Sequence, residues 1–165
     1  MAVTNTTSNN LRKYKENIIR KVKNLVTDSI EDVELMANRD LKDHLFKKEE
    51  KGQIMTDKKG KPILSSIDTR YISVDKEISN GGLTGEVGVF GDNPLAAYLE
   101  FGTGLSAVKI LAGYPDWVRK IAREFYVNGK GTLQGKPYLF NNFLVVEEKF
   151  KKKLNEILSE PFVDT

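Results

Sequence analysis

The chain has 165 residues, of which 39% are hydrophobic and 30% are charged, and its formal net charge is +3. This length suits one domain that buries a real core, and this composition suits a globular protein with an extensive solvated surface. No apolar run approaches the roughly 18 residues of a transmembrane helix, and polar residues 1–10 lack the apolar segment of a secretory signal. Cysteine is absent, which excludes disulfides, thiolate catalysis and cysteine–zinc sites.

The N-terminal third predicts a flexible arm over residues 1–10, followed by a long helix over about residues 10–38. Apolar residues recur there at spacings of three and four, and no Pro or Gly interrupts them. The helix could extend through Leu41, Leu45 and Phe46. Because it is long for a domain of this size, its apolar stripe packs either on its own sheet or partly on another subunit, and both interpretations stay open.

The charge-dense residues 47–61 predict an exposed loop, with Gly52 and Gly60 as breaks. The single histidine, His44, has no partner at metal-ligand spacing and is interpreted as a solvated side chain. The next residues predict a β-hairpin over residues 67–90, because β-branched and apolar residues alternate on both sides of the turn signal Asn80-Gly81-Gly82. Gly85 and Gly88 suggest a bulge or a close backbone approach in the returning strand.

A short amphipathic helix with an abrupt end is predicted at residues 94–101. Pro94 suits its first position, and Leu95, Tyr98 and Leu99 share one face. Gly102 can take the left-handed conformation that ends a helix, and Thr103-Gly104 lets the chain turn sharply. We interpret this stretch as the one around which the chain is organised.

Glu100 lies in the last turn of this helix, where the helix dipole disfavours a carboxylate. We therefore expect a specific partner, either backbone N–H groups of the glycine turn or a basic side chain. Glu100 is either a structural carboxylate that fixes the turn or a catalytic base. The structural interpretation is preferred, because no nucleophile, histidine or second carboxylate lies nearby in the sequence.

The C-terminal half predicts a helix over residues 115–127, in which Trp117 is a core residue or an interface anchor. Residues 128–136 form a glycine-rich loop but not a phosphate-binding loop, because Pro137 stands where that motif needs Ser or Thr. A final helix is predicted over residues 137–158, with a lysine-rich second half, and a tail over residues 159–165. The fold class is therefore α+β: a long N-terminal helix and a C-terminal helix packed on a small antiparallel sheet, in a single domain over residues 11–158.

Three stretches resemble one family. Tyr98-Leu99-Glu100-Phe101-Gly102-Thr103-Gly104 looks like the "Y-hydrophobic-E-aromatic-G-T" signature of the tail-completion, or head–tail joining, proteins of long-tailed double-stranded DNA phages. Gly60 to Ile67 is similar to the segment that opens that family's sheet, and Gly135-Lys136-Pro137-Tyr138-Leu139 to the one that opens its last helix. The chain departs from the pattern at Pro62 and Ile63, and at Asn141-Asn142, where a small "P-A" pair is usual.

The resemblance implies a structural virion protein of the phage neck or tail top, made in the cytoplasm of a host bacterium. Such proteins form a ring, generally a hexamer, by docking a sheet and loops onto the neighbouring subunit. The partners that the resemblance implies for this chain are further copies of itself, the connector or stopper, and the tail terminator or tail tube. Genomic DNA would pass through the lumen without sequence recognition, and no enzyme activity, cofactor, metal or membrane is expected. The interface or structural candidates are Tyr98, Glu100, Phe101, Gly102, Thr103, Gly104, Trp117, Pro137 and Tyr138.

Two other functions stay open. The first is a nucleic-acid-binding module that uses the basic C-terminal helix, with Lys149 and Lys151 to Lys153, together with Arg119, Lys120 and Arg123. The net charge is modest and the lysines are spread along the chain, whereas duplex-binding proteins normally concentrate them in a patch. The second is an enzyme with Glu100 as its base.

Overall fold

The computed structural model describes residues 3–49, 72–90, 94–125 and 135–162. Within these ranges the fold is α+β, as predicted, with a long N-terminal helix, a C-terminal helix and a small antiparallel hairpin. The elements in chain order are α1 (Val3–Glu49), β1 (Asp75–Ser79), β2 (Thr84–Gly88), α2 (Pro94–Phe101), α3 (Gly104–Ala112), α4 (Asp116–Phe125) and α5 (Phe140–Leu158). The short helix α3 has no counterpart among the sequence-based predictions.

Helix α1 is longer at both ends than the sequence predicts. Its 47 residues contain neither Pro nor Gly, so nothing in the local sequence ends it, and it spans about 70 Å at 1.5 Å per residue. Residues 3–10 therefore belong to α1 and not to a separate arm, and residues 47–49 belong to α1 and not to a loop. The rest of that predicted loop, residues 50–61, lies outside the described residues, and so does the side chain of His44.

Burial along α1 is uneven. Its middle carries the buried apolar side chains that face the rest of the fold, namely Leu25, Val26, Ile30, Val33, Ala37 and Leu41. Between residues 7 and 24, by contrast, no side chain is buried. Among its described side chains, the helix thus has an exposed half, residues 7–24, and a core half, residues 25–41.

The hairpin packs on the core half of α1. Its strands pair antiparallel from Asp75 opposite Gly88 to Ser79 opposite Thr84, and the predicted turn at residues 80–82 forms with positive φ angles of 49°, 62° and 93°. A Cβ on Gly85 would lie 2.4 Å from Cγ1 of Ile30, so Gly85 is the close approach that its sequence position predicts. Gly88 faces open space, and the ladder has no bulge. Residues 67–71 of the predicted strand lie outside the described residues.

Polar contacts fix the hairpin to α1. The Lys76 ammonium lies 2.8 Å from Glu34 and 3.1 Å from Glu31, and the hydrogen bonds to Glu34 and Glu31 raise the pKa of Lys76. The Asn38 side-chain amide donates to the Val74 carbonyl at 2.8 Å and accepts from the Val74 N–H at 3.0 Å. These bonds set the position of the chain just before β1.

Helix α5 runs antiparallel to α1, and both α5 and the hairpin pack on α1, side by side. A mainly apolar groove of about 540 Å³ separates α5 from the hairpin. The end of the chain folds back on the exposed half of α1, where Lys21 pairs with Glu160 at 2.6 Å and the Tyr14 ring meets the Phe162 ring edge-on at 5.5 Å. Glu160 and Phe162 of the predicted tail therefore contact α1, and residues 163–165 lie outside the described residues.

Among the described residues, two apolar clusters of the core meet near the C-terminal end of α2. The first joins α1, the chain before β1, α2 and the start of α5, through Ala37, Leu41, Ile72, Val74, Ala96 and Tyr138. The second joins α2, α3 and α4, through Phe101, Leu111, Tyr114, Val118 and Ala122. Helix α2 contributes to both clusters, so its C-terminal end lies between them.

Candidate functional site: the Glu100 corner

The C-terminal end of α2 is a glycine-terminated corner, as the sequence predicts. Gly102 has a φ of 75°, and its N–H donates to the Tyr98 carbonyl at 2.8 Å. This is the left-handed cap that satisfies one of the last free carbonyls of a helix, and glycine adopts it without steric cost. Gly104, the first residue of α3, also has a positive φ, 59°, so the chain turns at both glycines between α2 and α3.

The Glu100 side chain is buried, with 2% of its surface exposed, and its carboxylate caps another helix. Its Oε2 accepts the N–H groups of Tyr138 at 2.7 Å and Leu139 at 2.9 Å, and its Oε1 accepts the N–H of Phe140 at 3.0 Å. The first N–H groups of a helix have no partner within that helix. Glu100 therefore satisfies the free donor of Phe140 at the start of α5 and the donors of the two residues just before it.

The prediction of the partner of Glu100 was wrong. The donors belong neither to the glycine turn nor to a basic side chain, but to backbone 38 to 40 residues further along the chain. Glu100 is unfavourably placed at the negative end of α2 and favourably placed at the positive end of α5. Its favourable position at the start of α5 explains why a carboxylate is found at the end of α2.

Burial and hydrogen bonding act on Glu100 in opposite directions. Removal from water raises its pKa above the ordinary value of 4.5, and the hydrogen bonds from Leu139, Phe140 and Tyr138 oppose that rise. The nearby hydroxyls of Tyr114 and Tyr138 also have raised pKa values, because of burial first and the Glu100 charge second. The corner is thus a dry site in which charge is tolerated only where donors surround it.

The backbone before α5 passes very close to the corner. A Cβ on Gly135 would lie 2.3 Å from the Phe101 carbonyl carbon and 2.4 Å from the Gly102 nitrogen, so only glycine fits. The next residue, Lys136, donates its N–H to the Leu99 carbonyl at 2.7 Å. The predicted exposed loop over residues 128–136 therefore ends in a buried glycine, while residues 128–134 lie outside the described residues.

An aromatic cluster covers one side of the corner. The Phe101 ring lies 5.5 Å from the Phe140 ring and 6.5 Å from the Tyr114 ring, centroid to centroid. Trp117 packs edge-on against Phe140 and Phe143 at 5.6 and 5.8 Å, and 43% of its surface is exposed. On α4 the buried position is Val118, so Trp117 is a surface anchor of the cluster and not a core residue.

The two asparagines that depart from the family pattern both have partners. Asn142 is buried, and its amide donates to Asp40 on α1 at 2.8 Å and to the Tyr138 carbonyl at 2.7 Å. Asn141 accepts the Tyr114 hydroxyl at 2.8 Å. A small apolar pair at these positions would leave these bonds unmade, so this chain fastens the start of α5 by polar contacts.

The structure brings together most of the predicted site residues. Glu100, Phe101, Gly102 and Tyr138 are buried at the corner, with Tyr98 and Pro137 half-buried beside them. Thr103 and the buried Gly104 form the link to α3, and Trp117 lies beyond Phe140. Three contributors were missing from the predicted site, namely Gly135, Asn142 and Tyr114. Gly135 carries the only sequence signal, as the glycine that opens the last motif.

The chemistry of this corner is that of a structural joint. Both carboxylate oxygens already accept N–H donors, so a substrate would have to displace bonds that hold α5 in place. Among the described residues no group of three or more His, Cys, Asp or Glu side chains is arranged to hold a metal ion. No helix in the described ranges is both long and apolar enough to cross a bilayer.

Comparison with known proteins returns no match: no family model, no curated protein and no solved structure is similar to this chain at a significant level. The functional interpretation therefore depends on the corner itself and on the resemblance of its motifs.

Proposed function

We propose that the protein is a structural component of a phage virion, located at the neck or the top of the tail, where copies of it form a ring that joins the head connector to the tail. In this proposal Glu100 has an architectural role and performs no chemistry. The ring surrounds genomic DNA without reading its sequence. Its neighbours are the connector or stopper on one side and the tail terminator or tail tube on the other.

The observation that supports the proposal is the meeting of two motifs. The stretches that resemble the family, residues 98–104 and 135–139, are separated by 30 residues in the sequence. In the fold they form one unit, in which Glu100 holds the N–H groups of Tyr138 to Phe140 and Gly135 lies on the Phe101–Gly102 peptide. Residues that form one rigid joint are expected to recur together in a family.

A rigid joint of this kind suits an assembly protein, because it fixes where the neighbouring segments leave the core. The last two residues of the glycine-rich segment over residues 129–136 are Gly135 and Lys136, which the corner holds in place. This segment and residues 47–61 are the candidate docking segments, and they would bind the neighbouring subunit or the neighbouring neck proteins.

The proposal is tested in the phage that encodes the chain. Purified particles should contain a fixed, small number of copies, measured by quantitative mass spectrometry against the major tail protein. A phage that lacks the protein should yield filled heads and separate tails, visible by electron microscopy, and the wild-type chain supplied in trans should restore joined particles. Absence of the protein from purified particles, together with normal joining without it, would contradict the proposal.

A further inference from the structure

The exposed half of α1 is strongly basic. Residues 7–24 contain six Lys or Arg residues and one Glu, and the exposed side chains include Arg12, Lys13, Lys15 and Arg20. The same segment exposes apolar surface, since Leu11 is 55% exposed. We call residues 7–24 the basic arm. Glu160 and Phe162 of the same chain contact Lys21 and Tyr14 on one side of this segment. Leu11 and the four basic side chains remain exposed, and such a surface is suited to a partner.

The hairpin and the middle of α1 together form an acidic surface. The outward-facing side chains of the hairpin include Asp75, Glu77 and Glu86, and every residue of β1 is exposed. Glu77 and Glu86 stand directly opposite each other, a like-charge pair that is unfavourable within the hairpin itself. This surface continues onto α1 through Asp28, Glu31 and Asp32, which are exposed beside the contact between Glu31 and Lys76.

We propose that the basic arm of one copy docks on the acidic surface of a neighbouring copy. The hairpin acids, which repel each other in the single chain, would there face Lys and Arg side chains. Apolar surface would be covered in the same contact, because Leu35, 70% exposed, lies one turn from Glu31 on the acidic surface.

The distance within one chain favours a contact between copies. Lys23, at the end of the arm, lies against the hairpin turn of its own chain, but along α1 the exposed cations at residues 12–15 and the acidic residues 28–34 are about 26 Å apart at 1.5 Å per residue. This exceeds the Debye length of about 10 Å at 0.1 M salt, so attraction between them within one chain is largely screened. A neighbouring copy displaced along the helix brings the two surfaces into direct contact.

The two surfaces occupy different parts of the molecule, so the contact is head-to-tail. Each copy that docks its arm leaves its own acidic surface available to the next, and such contacts close into a ring when the rotation between copies permits. This inference depends on the proposed function, since it supplies the interface that a ring of identical copies needs.

The test is a charge-reversal experiment read out by sedimentation velocity and native mass spectrometry. The arm variant carries Arg12→Glu, Lys13→Glu and Lys15→Glu, which replace one set of good helix formers with another. The surface variant carries Asp75→Lys, Glu77→Lys and Glu86→Lys, which keeps a like-charge pair across the strands. We expect the wild type to associate at about 50 mM salt and to dissociate at about 500 mM, because salt screens the contact.

Each variant alone should associate about tenfold more weakly or worse, since like charges then face each other. An equimolar mixture of the two variants, and a chain that carries all six changes, should recover association, because opposite charges face each other again. The matched control is Lys149→Glu, Lys152→Glu and Lys153→Glu, which makes the same change in net charge on an exposed part of α5 and should leave association unchanged.

Three results would overturn the inference. The first is a wild type that stays monomeric at low salt and high concentration. The second is association that the arm variant or the surface variant leaves intact, or that the mixture fails to restore. The third is a monomeric wild type that binds duplex DNA and loses this binding in the arm variant, which would assign the arm to nucleic acid. Presence of the protein in virions alongside any of these results would contradict this contact and leave the proposed function standing.

Discussion

The Glu100 corner and the basic arm place charged side chains in opposite environments. At the corner a single buried carboxylate is surrounded by three N–H donors and a close glycine backbone. Along the arm, six Lys or Arg side chains are spread over a helix in which no side chain between residues 7 and 24 is buried. The Glu100 carboxylate has all its partners within one chain, whereas the side chains of the arm are exposed and can contact another chain.

The difference shows where charge contributes to stability in this protein. A charge at the corner is dry and has defined partners, so removing it leaves buried donors unpaired. A charge on the arm is solvated, and exposed ion pairs such as Arg12 with Glu16 at 3.8 Å contribute little to folding. Changes at the corner should therefore affect folding, and changes on the arm should affect association.

The largest effect on stability is expected from Glu100→Ala. This change leaves the N–H groups of Tyr138, Leu139 and Phe140 without their acceptor in a buried site, at about 1–3 kcal/mol for each unsatisfied group, less whatever entering water recovers. We expect the free energy of unfolding to fall by about 3 kcal/mol or more, measured by urea denaturation. A loss below 1 kcal/mol would show that the carboxylate does not hold α5.

Gly135→Ala should have the next largest effect. The new Cβ would lie 2.3 Å from the Phe101 carbonyl carbon, and backbone cannot move away as a flexible side chain can. We expect a loss of about 2–3 kcal/mol, as for other overpacked sites. The matched control is Gly88→Ala, where no atom lies within 4 Å; its effect should stay within about 0.5 kcal/mol. Equal effects at the two glycines would contradict the close approach.

The pH dependence of stability should carry the signature of a buried carboxyl. Because burial raises the folded-state pKa of Glu100 above 4.5, folding favours its protonated form. Its contribution to the free energy of unfolding is therefore greatest below the unfolded pKa and declines as pH rises through the folded one.

Glu100→Gln, which does not titrate at this position, provides the reference for that measurement. The free energy of unfolding of the wild type minus that of Glu100→Gln should fall as pH rises from about 4, where an unfolded Glu begins to ionise. A difference that instead rises with pH would mean that the three N–H donors outweigh burial.

The smallest effect on folding is expected from the arm. Arg12→Glu, Lys13→Glu and Lys15→Glu should each change the free energy of unfolding of the monomer by no more than about 0.5 kcal/mol, as exposed positions generally do. The measurement is urea denaturation at high salt, where association is suppressed. A loss comparable to that of Glu100→Ala would show that the arm is part of the folding core and would remove the contrast between the two regions.

Local sequence was enough for the elements with strong periodicity or strong turn residues. The long apolar spacing predicted α1, the Asn80-Gly81-Gly82 turn predicted the hairpin, and Gly102 predicted the end of α2. Each of these depends on a few neighbouring residues, whose conformational preferences act whatever the rest of the chain does.

The remaining features depend on contacts between distant residues. The partner of Glu100 lies 38 to 40 residues away, and the need for glycine at position 135 comes from backbone that enters from α2. No local pattern encodes either contact. The N-terminal extent of α1 was underestimated for another reason, because residues 4–10 are polar and carry no apolar period although nothing in them stops a helix. At the other end, the extension through Leu41, Leu45 and Phe46 is confirmed.

Amide hydrogen exchange at the start of α5 tests the central claim most directly. The first N–H groups of a helix ordinarily exchange fast because they lack partners. In this protein the N–H group of Phe140, and those of Tyr138 and Leu139 just before the helix, should instead be as protected as the middle of α5, and at least one should lose its protection in Glu100→Gln, which keeps only one acceptor oxygen. Fast exchange at all three N–H groups in the wild type would mean that Glu100 does not join the end of α2 to the start of α5.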